Sequence, residues 1–167
     1  MKTLIVVDMQ NDFIDGSLGT KEAQAIVPKV KKKIEEYLIR GDRVIFTQDT
    51  HGEDYLQTNE GRNLPVVHCV AGTHGWKIPE ELDVADCDHI SKNTFGSLDW
   101  NKKYSFDDDV EIVGLCTGIC VISNALILKA MFPETQISVD GNCCACVTPQ
   151  SHEAALQTMK TCQIHVL

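Results

Sequence analysis

The chain has 167 residues, 43% hydrophobic and 23% charged, with a net charge of −9. That length suits a single domain over residues 1–167, and the composition excludes a disordered segment. The acidic balance excludes a general nucleic-acid binder, which needs a basic stripe to neutralise phosphates.

Lys2 to Val7 reads as a strand buried on both faces, because its apolar run is continuous and rich in β-branched residues. The run stops at Asp8, too short for a secretory core or a membrane span. Ile26, Val27, Val30, Ile34, Tyr37 and Leu38 recur at helical spacing, which predicts a helix with Pro28 in its first turn and Gly41 as its terminator. The basic cluster Lys29, Lys31, Lys32 and Lys33 suits that helix's wet face. Arg43 to Thr47 is a second strand. Residues 50 to 80 lack periodicity and hold Gly52, Gly61, Gly72, Gly75, Pro65 and Pro79. They form a long structured loop region, and such loops in compact domains usually serve function.

Strands return at Asp88 to Ser91, Val110 to Leu115, Gln136 to Val139 and Ile164 to Val166, with Asp107-Asp108-Asp109 as a solvated turn. Helices fill 118 to 131 and 150 to 161, the second introduced by Thr148 as cap and Pro149 in the first turn. Alternating strands and helices predict an α/β fold, three layers deep, with a mainly parallel sheet covered on both faces. The eight cysteines sit in apolar runs of a good-sized domain. They point to reduced thiols and a cytoplasmic location, with no nucleic acid or membrane as partner.

In an open parallel sheet, ligands gather at the carboxyl ends of the strands. Asp8, Asp49, Lys92 and the segment Cys116 to Cys120 all fall just past predicted strand ends, so four segments converge on one rim. Cys120 falls in the first turn of its helix, where N–H groups and the helix dipole lower a thiol's pKa. Cys116 precedes the helix and offers mainly its backbone N–H. Considered alone, each cysteine is more often a small buried side chain. In a second group, Asp49 and His51 sit two apart and His68 follows after the loop, a set able to hold Zn²⁺, Mn²⁺ or Fe²⁺. Glu60 is a candidate fourth ligand, and His74 is as readily a surface residue. Cys143, Cys144 and Cys146 contain one C-x-x-C without a second pair and read as core.

Taken together, "VVDMQNDF", "QDTH", "PVVHCVAGTHGW", "ISKNTFGS", "GLCTGICV" and "CVTPQSHEAALQTM" resemble the isochorismatase-like cysteine hydrolases, most of all their nicotinamidase branch. The resemblance spans nearly the whole chain. It implies a Rossmann-like sheet of six strands with helices on both sides, Asp8 and Lys92 as catalytic partners, and Cys120 as nucleophile. It also implies a cis peptide before Cys116 and an oxyanion hole made by the N–H groups of Cys116 and Cys120. Asp49, His51 and His68 match the metal ligands, and the reaction implied is hydrolysis of a small amide to acid and ammonia. The sequence departs from the branch before His68, where Leu64-Pro65-Val66-Val67 stands in place of an aromatic. Phe13 remains as one wall for a substrate ring, with Phe95 or Tyr55 as the other. Two rivals stay open: an amidase for a carbamoyl or ureido compound, and a thiol redox module using Cys116 and Cys120. Self-association is also left open.

Overall fold

A computed structural model describes residues 1–167. The strands β1 (Thr3–Val7), β2 (Arg43–Asp49), β3 (Asp88–Lys92), β4 (Val110–Leu115), β5 (Ile137–Ala145) and β6 (His165–Val166) form one parallel sheet in the order β3-β2-β1-β4-β5-β6. The helices are α1 (Asn11–Ile14), α2 (Lys21–Ile39), α3 (Asn59–Asn63), α4 (Trp100–Lys103), α5 (Ile122–Met131) and α6 (Pro149–Thr161).

Both faces of the sheet are covered, as its apolar runs require. On β1, Leu4 and Val6 pack with Ile26, Val30 and Ile34 of α2, while Ile5 and Val7 face Ala125 and Leu128 of α5 and Met159 of α6. That two-residue alternation is the pleat itself.

The helix α2 starts earlier than the pattern suggests. Thr20 caps it by accepting from Ala23 N–H, so Pro28 lies well inside the helix and not in its first turn. Gly41, at φ +73°, closes the helix end in the left-handed conformation that glycine takes without strain. Lys33 does not belong to the wet face. Its ammonium lies 2.7 Å from Glu111 Oε1 and 2.8 Å from Asp140 Oδ2, linking α2 to β4 and β5. The pairing with Glu111 is one of charge, since Oε1 is outside the alignment of a directed hydrogen bond.

β5 is also longer than Gln136 to Val139, because pairing with β4 resumes at Gly114 and Cys144 after an irregularity. Gly114 has φ +119°, and a Cβ there would collide with the Val7 carbonyl. Thr148 caps α6 reciprocally with Ser151, as its sequence signature predicts.

The strand order reverses between β1 and β4. This switch point opens a crevice at their carboxyl ends.

Candidate active site

Asp8 follows β1 directly, Lys92 ends β3, and Cys120 lies in a π-helical turn, Thr117–Val121, between β4 and α5. Asp8 adopts φ +47° and is fully buried. Its Oδ1 accepts from Thr47 Oγ1 at 2.6 Å and its Oδ2 accepts from Lys92 Nζ at 2.6 Å. Lys92 Nζ also reaches the Thr94 carbonyl at 3.1 Å and Cys120 Sγ at 3.5 Å. One ammonium thus touches both the carboxylate and the thiol.

Burial sets the charges here. It pushes Asp8 above the ordinary carboxylate range, more than the Lys92 charge beside it pulls back. It also pushes the Cys120 thiol well up, reinforced by the charge of Asp8, so the expected dipole-lowered thiolate is not the resting form. Burial alone would lower Lys92, but Asp8, Cys120 and Asp49 hold it above its usual value. The 2.6 Å contact of Lys92 Nζ with Asp8 Oδ2 has the geometry of a carboxylate–ammonium pair, set beside a protonated thiol. Passing the Cys120 proton to Asp8 leaves one anion beside Lys92 as before, so no new buried charge is created.

The peptide between Leu115 and Cys116 is cis, and the Cys116 N–H makes no hydrogen bond within the protein. Its own thiol, pushed by burial up to about 12, is not a ready nucleophile.

Asp49 ends β2 and His51 follows it. A parallel bridge between His51 and Val70 brings the loop carrying His68 alongside. His51 Nε2 lies 2.9 Å and His68 Nε2 3.5 Å from Asp49 Oδ2, and Glu60 Oε1 of α3 is 3.7 and 3.8 Å from the same two nitrogens. The four ligand atoms lie within 4.8 Å of one another, close enough to converge on one cation with small side-chain adjustments. The donor chemistry fits as well. His68 Nδ1 donates to the Val66 carbonyl at 2.7 Å, which aims Nε2 at Asp49 and makes it the nitrogen available to a cation. Asp49 Oδ1 is buried without a hydrogen bond. Burial would raise Asp49, but His51, His68 and Lys92 outweigh it and hold the carboxyl well below its usual range.

Beside the two groups lies a cavity of about 180 Å³, lined by Cys116 and Cys120 and by Asp49, Glu60 and His68. Apart from Thr20 its other walls are apolar and include Phe13, Phe95, Leu18, Leu64, Ile119 and Val147. That space suits one small ring, not a polymer.

Seven of the ten candidate residues line this cavity: Phe13, Asp49, Glu60, His68, Phe95, Cys116 and Cys120. The other three adjoin it: Lys92 contacts Cys120 and Asp49, Asp8 pairs with Lys92, and His51 contacts Asp49. Tyr55 does not line the cavity. Its ring packs on His51 and His68 at 4.7 and 4.9 Å between centroids, and its hydroxyl donates to the Leu64 carbonyl. Leu64 stands in the wall where the sequence lacks an aromatic. His74 is exposed, and Cys143, Cys144 and Cys146 are buried. Thr47 was not evident as part of the site. Its only sequence signal is a hydroxyl ending an apolar strand, which many strands carry.

The Isochorismatase domain family model matches residues 2–167. A nicotinamidase/pyrazinamidase of Mycobacterium tuberculosis is 27% identical, over 100% of this chain and 98% of its own. A protein of Arabidopsis thaliana described as a probable inactive nicotinamidase is 28% identical, covering 94% and 87%. The crystal structure of a pyrazinamidase of Pyrococcus horikoshii in complex with zinc superposes with a TM-score of 0.81 at 28% identity, covering 99% and 98%.

Proposed function

The chain belongs to the isochorismatase domain family, and from that premise we propose that it is a cysteine amidohydrolase cleaving nicotinamide to nicotinic acid and ammonia. One observation carries the reading: Cys120, in contact with Lys92 and through it with Asp8, lines a cavity that Asp49, Glu60 and His68 of a candidate metal group also line. Because one relative is described as probably inactive, activity rests on these residues and not on likeness alone.

In the mechanism, Asp8 accepts the Cys120 proton and the sulfur attacks the amide carbonyl. The N–H groups of Cys116 and Cys120 hold the oxyanion. Collapse breaks the C–N bond as Asp8 returns its proton to the departing nitrogen, and ammonia leaves a thioester. Asp8 then takes a proton from water, whose oxygen displaces the sulfur. That proton restores the thiol, and the acid departs. Lys92 keeps its charge throughout and offsets whichever partner is anionic.

Asp49, His51, His68 and Glu60 would hold a divalent cation, zinc in the Pyrococcus relative. Bound there, it supplies a Lewis-acid contact that fixes a ring nitrogen and so orients the amide towards Cys120.

A second reading, an amidase for a carbamoyl or ureido compound, is favoured by the aliphatic Leu64 where an aromatic wall is expected. One assay separates them: kcat/KM of metal-replete protein for nicotinamide, pyrazinamide, benzamide and a ureido compound, read as ammonia release. Nicotinamide and pyrazinamide are expected to exceed benzamide by several orders of magnitude, because a site built on a polar contact rejects the isostere lacking it. Equal values for nicotinamide and benzamide, or turnover only of a ureido compound, would select the second reading. The unpaired thiols and the net charge of −9 further support a reducing cytoplasm and a small-molecule substrate over a polyanion.

A further inference from the structure

Asn124 is fully buried on α5, one helical turn beyond Cys120, among apolar neighbours. Its carboxamide uses all of its hydrogen-bonding capacity. The oxygen accepts from Ser97 N–H at 3.0 Å and from the Trp100 indole N–H at 3.1 Å. The nitrogen donates to the Cys120 carbonyl at 2.8 Å and to the Phe95 carbonyl at 3.2 Å. The partners fix this orientation, because flipping the amide would set nitrogen against two N–H donors and oxygen against two carbonyls.

Three of the four partners lie at residues 95 to 100, between β3 and the start of α4, on a stretch without regular structure up to Trp100. That stretch begins next to Lys92 and carries Phe95, a wall of the cavity that is 43% exposed. It also packs tightly on α5, since a Cβ on Gly96 would collide with Ile127. One side chain therefore joins the backbone of Cys120 to the backbone of the substrate wall.

We propose that Asn124 is a positioning residue that fixes the spacing between Cys120 and the Phe95 wall of the cavity. The inference rests on reading Cys120 as the nucleophile. It assigns Asn124 no contact with substrate. Its role is to hold two independent chain segments in one geometry, and a misplacement of about 1 Å can cost about a hundredfold in rate.

Two substitutions divide the four bonds. Asn124→Asp keeps the two accepted bonds and loses the two donated ones, leaving the Cys120 and Phe95 carbonyls facing a carboxylate. Asn124→Thr can donate its hydroxyl to the carbonyl four residues back, that of Cys120, and releases the loop. Each variant is assayed for kcat, KM and unfolding midpoint, and for alkylation of Cys120 by iodoacetamide followed by peptide mass spectrometry.

The Asp variant should lose about tenfold or more in kcat and in Cys120 alkylation. The Thr variant should keep both close to wild type while KM rises about tenfold. Phe95→Ala added to the Thr variant should raise KM no further, because the wall is already unanchored. If the Asp variant does not fold, the Thr variant and its Phe95→Ala partner carry the test. Wild-type kcat and KM in both folded variants would overturn the inference. So would equal losses that vanish at temperatures where both are fully folded. Persistent hydrolysis by wild-type protein with Cys120 wholly alkylated would remove the nucleophile reading, and the inference with it.

Discussion

At Cys120 the deciding quantity is where one proton sits. Both the thiol and the Asp8 carboxyl are raised by burial, and Lys92 lies within 3.5 Å of each. Cys120→Ala is expected to abolish turnover without unfolding the protein, whereas Cys116→Ala keeps substantial activity because only its N–H is used. A dead Cys116 variant beside an active Cys120 variant would reverse that assignment. Asp8→Asn should cost about a thousandfold in kcat, within the usual range for a general base. The base must be ionised, so activity is lost as pH falls through its folded-state pKa. Because that pKa is raised, the acid limb of kcat/KM should lie above the ordinary aspartate value of about 3.9. A limb at or below that value, or one unchanged in Asp8→Asn, would remove Asp8 from the mechanism.

The elements show where local pattern is informative and where it misleads. Asp8, Asp49, Lys92 and Cys116 could all be placed at strand ends because β-branched runs stop abruptly there. The start of α2 was hidden because Pro28 is a strong local signal for a first turn, while the true cap, Thr20, precedes a polar turn with little stripe to mark it. β5 was cut short because Asp140, Gly141 and Asn142 interrupt its apolar run. Lys33 was unreadable for a different reason: its partners Glu111 and Asp140 are more than seventy residues away, and only the sheet brings them to α2.

Removing Lys33 leaves two facing carboxylates with little solvent, so Lys33→Met should cost about 3 kcal/mol at neutral pH, read from urea unfolding. Burial raises Asp140, but Lys33 outweighs it and holds the carboxyl below its usual value. That stabilisation is present above the unfolded pKa of about 3.9 and is lost as pH falls through the folded one. Wild type and variant should therefore converge in acid. Equal unfolding midpoints at neutral pH would show that the pairing adds nothing.

Across the whole molecule, the reversal of strand order at β1 and β4 gathers segments that are remote in sequence onto one rim. The Asp8, Lys92 and Cys120 cluster and the acidic–histidine group adjoin one small cavity, and Asp49 links them, with Oδ1 3.7 Å from Lys92 Nζ. No helix is long and apolar enough to cross a membrane. Purified protein should carry about one transition metal per chain, and His51→Ala or His68→Ala should lose it, since ligand geometry sets affinity. His165, exposed on β6, should be replaceable without effect on metal content. Full occupancy in both site variants would refute the ligand assignment.

The burial of Cys120 has a consequence for the lifetime of the protein. Oxidants attack thiolates, and susceptibility follows thiolate character and access. Burial holds the Cys120 thiol well above its usual value, and a protonated sulfur offers peroxide little to react with. Cys162, exposed just beyond α6 and absent from the cavity lining, meets solvent first. Oxidative damage is therefore expected to begin at Cys162, a thiol outside the cavity.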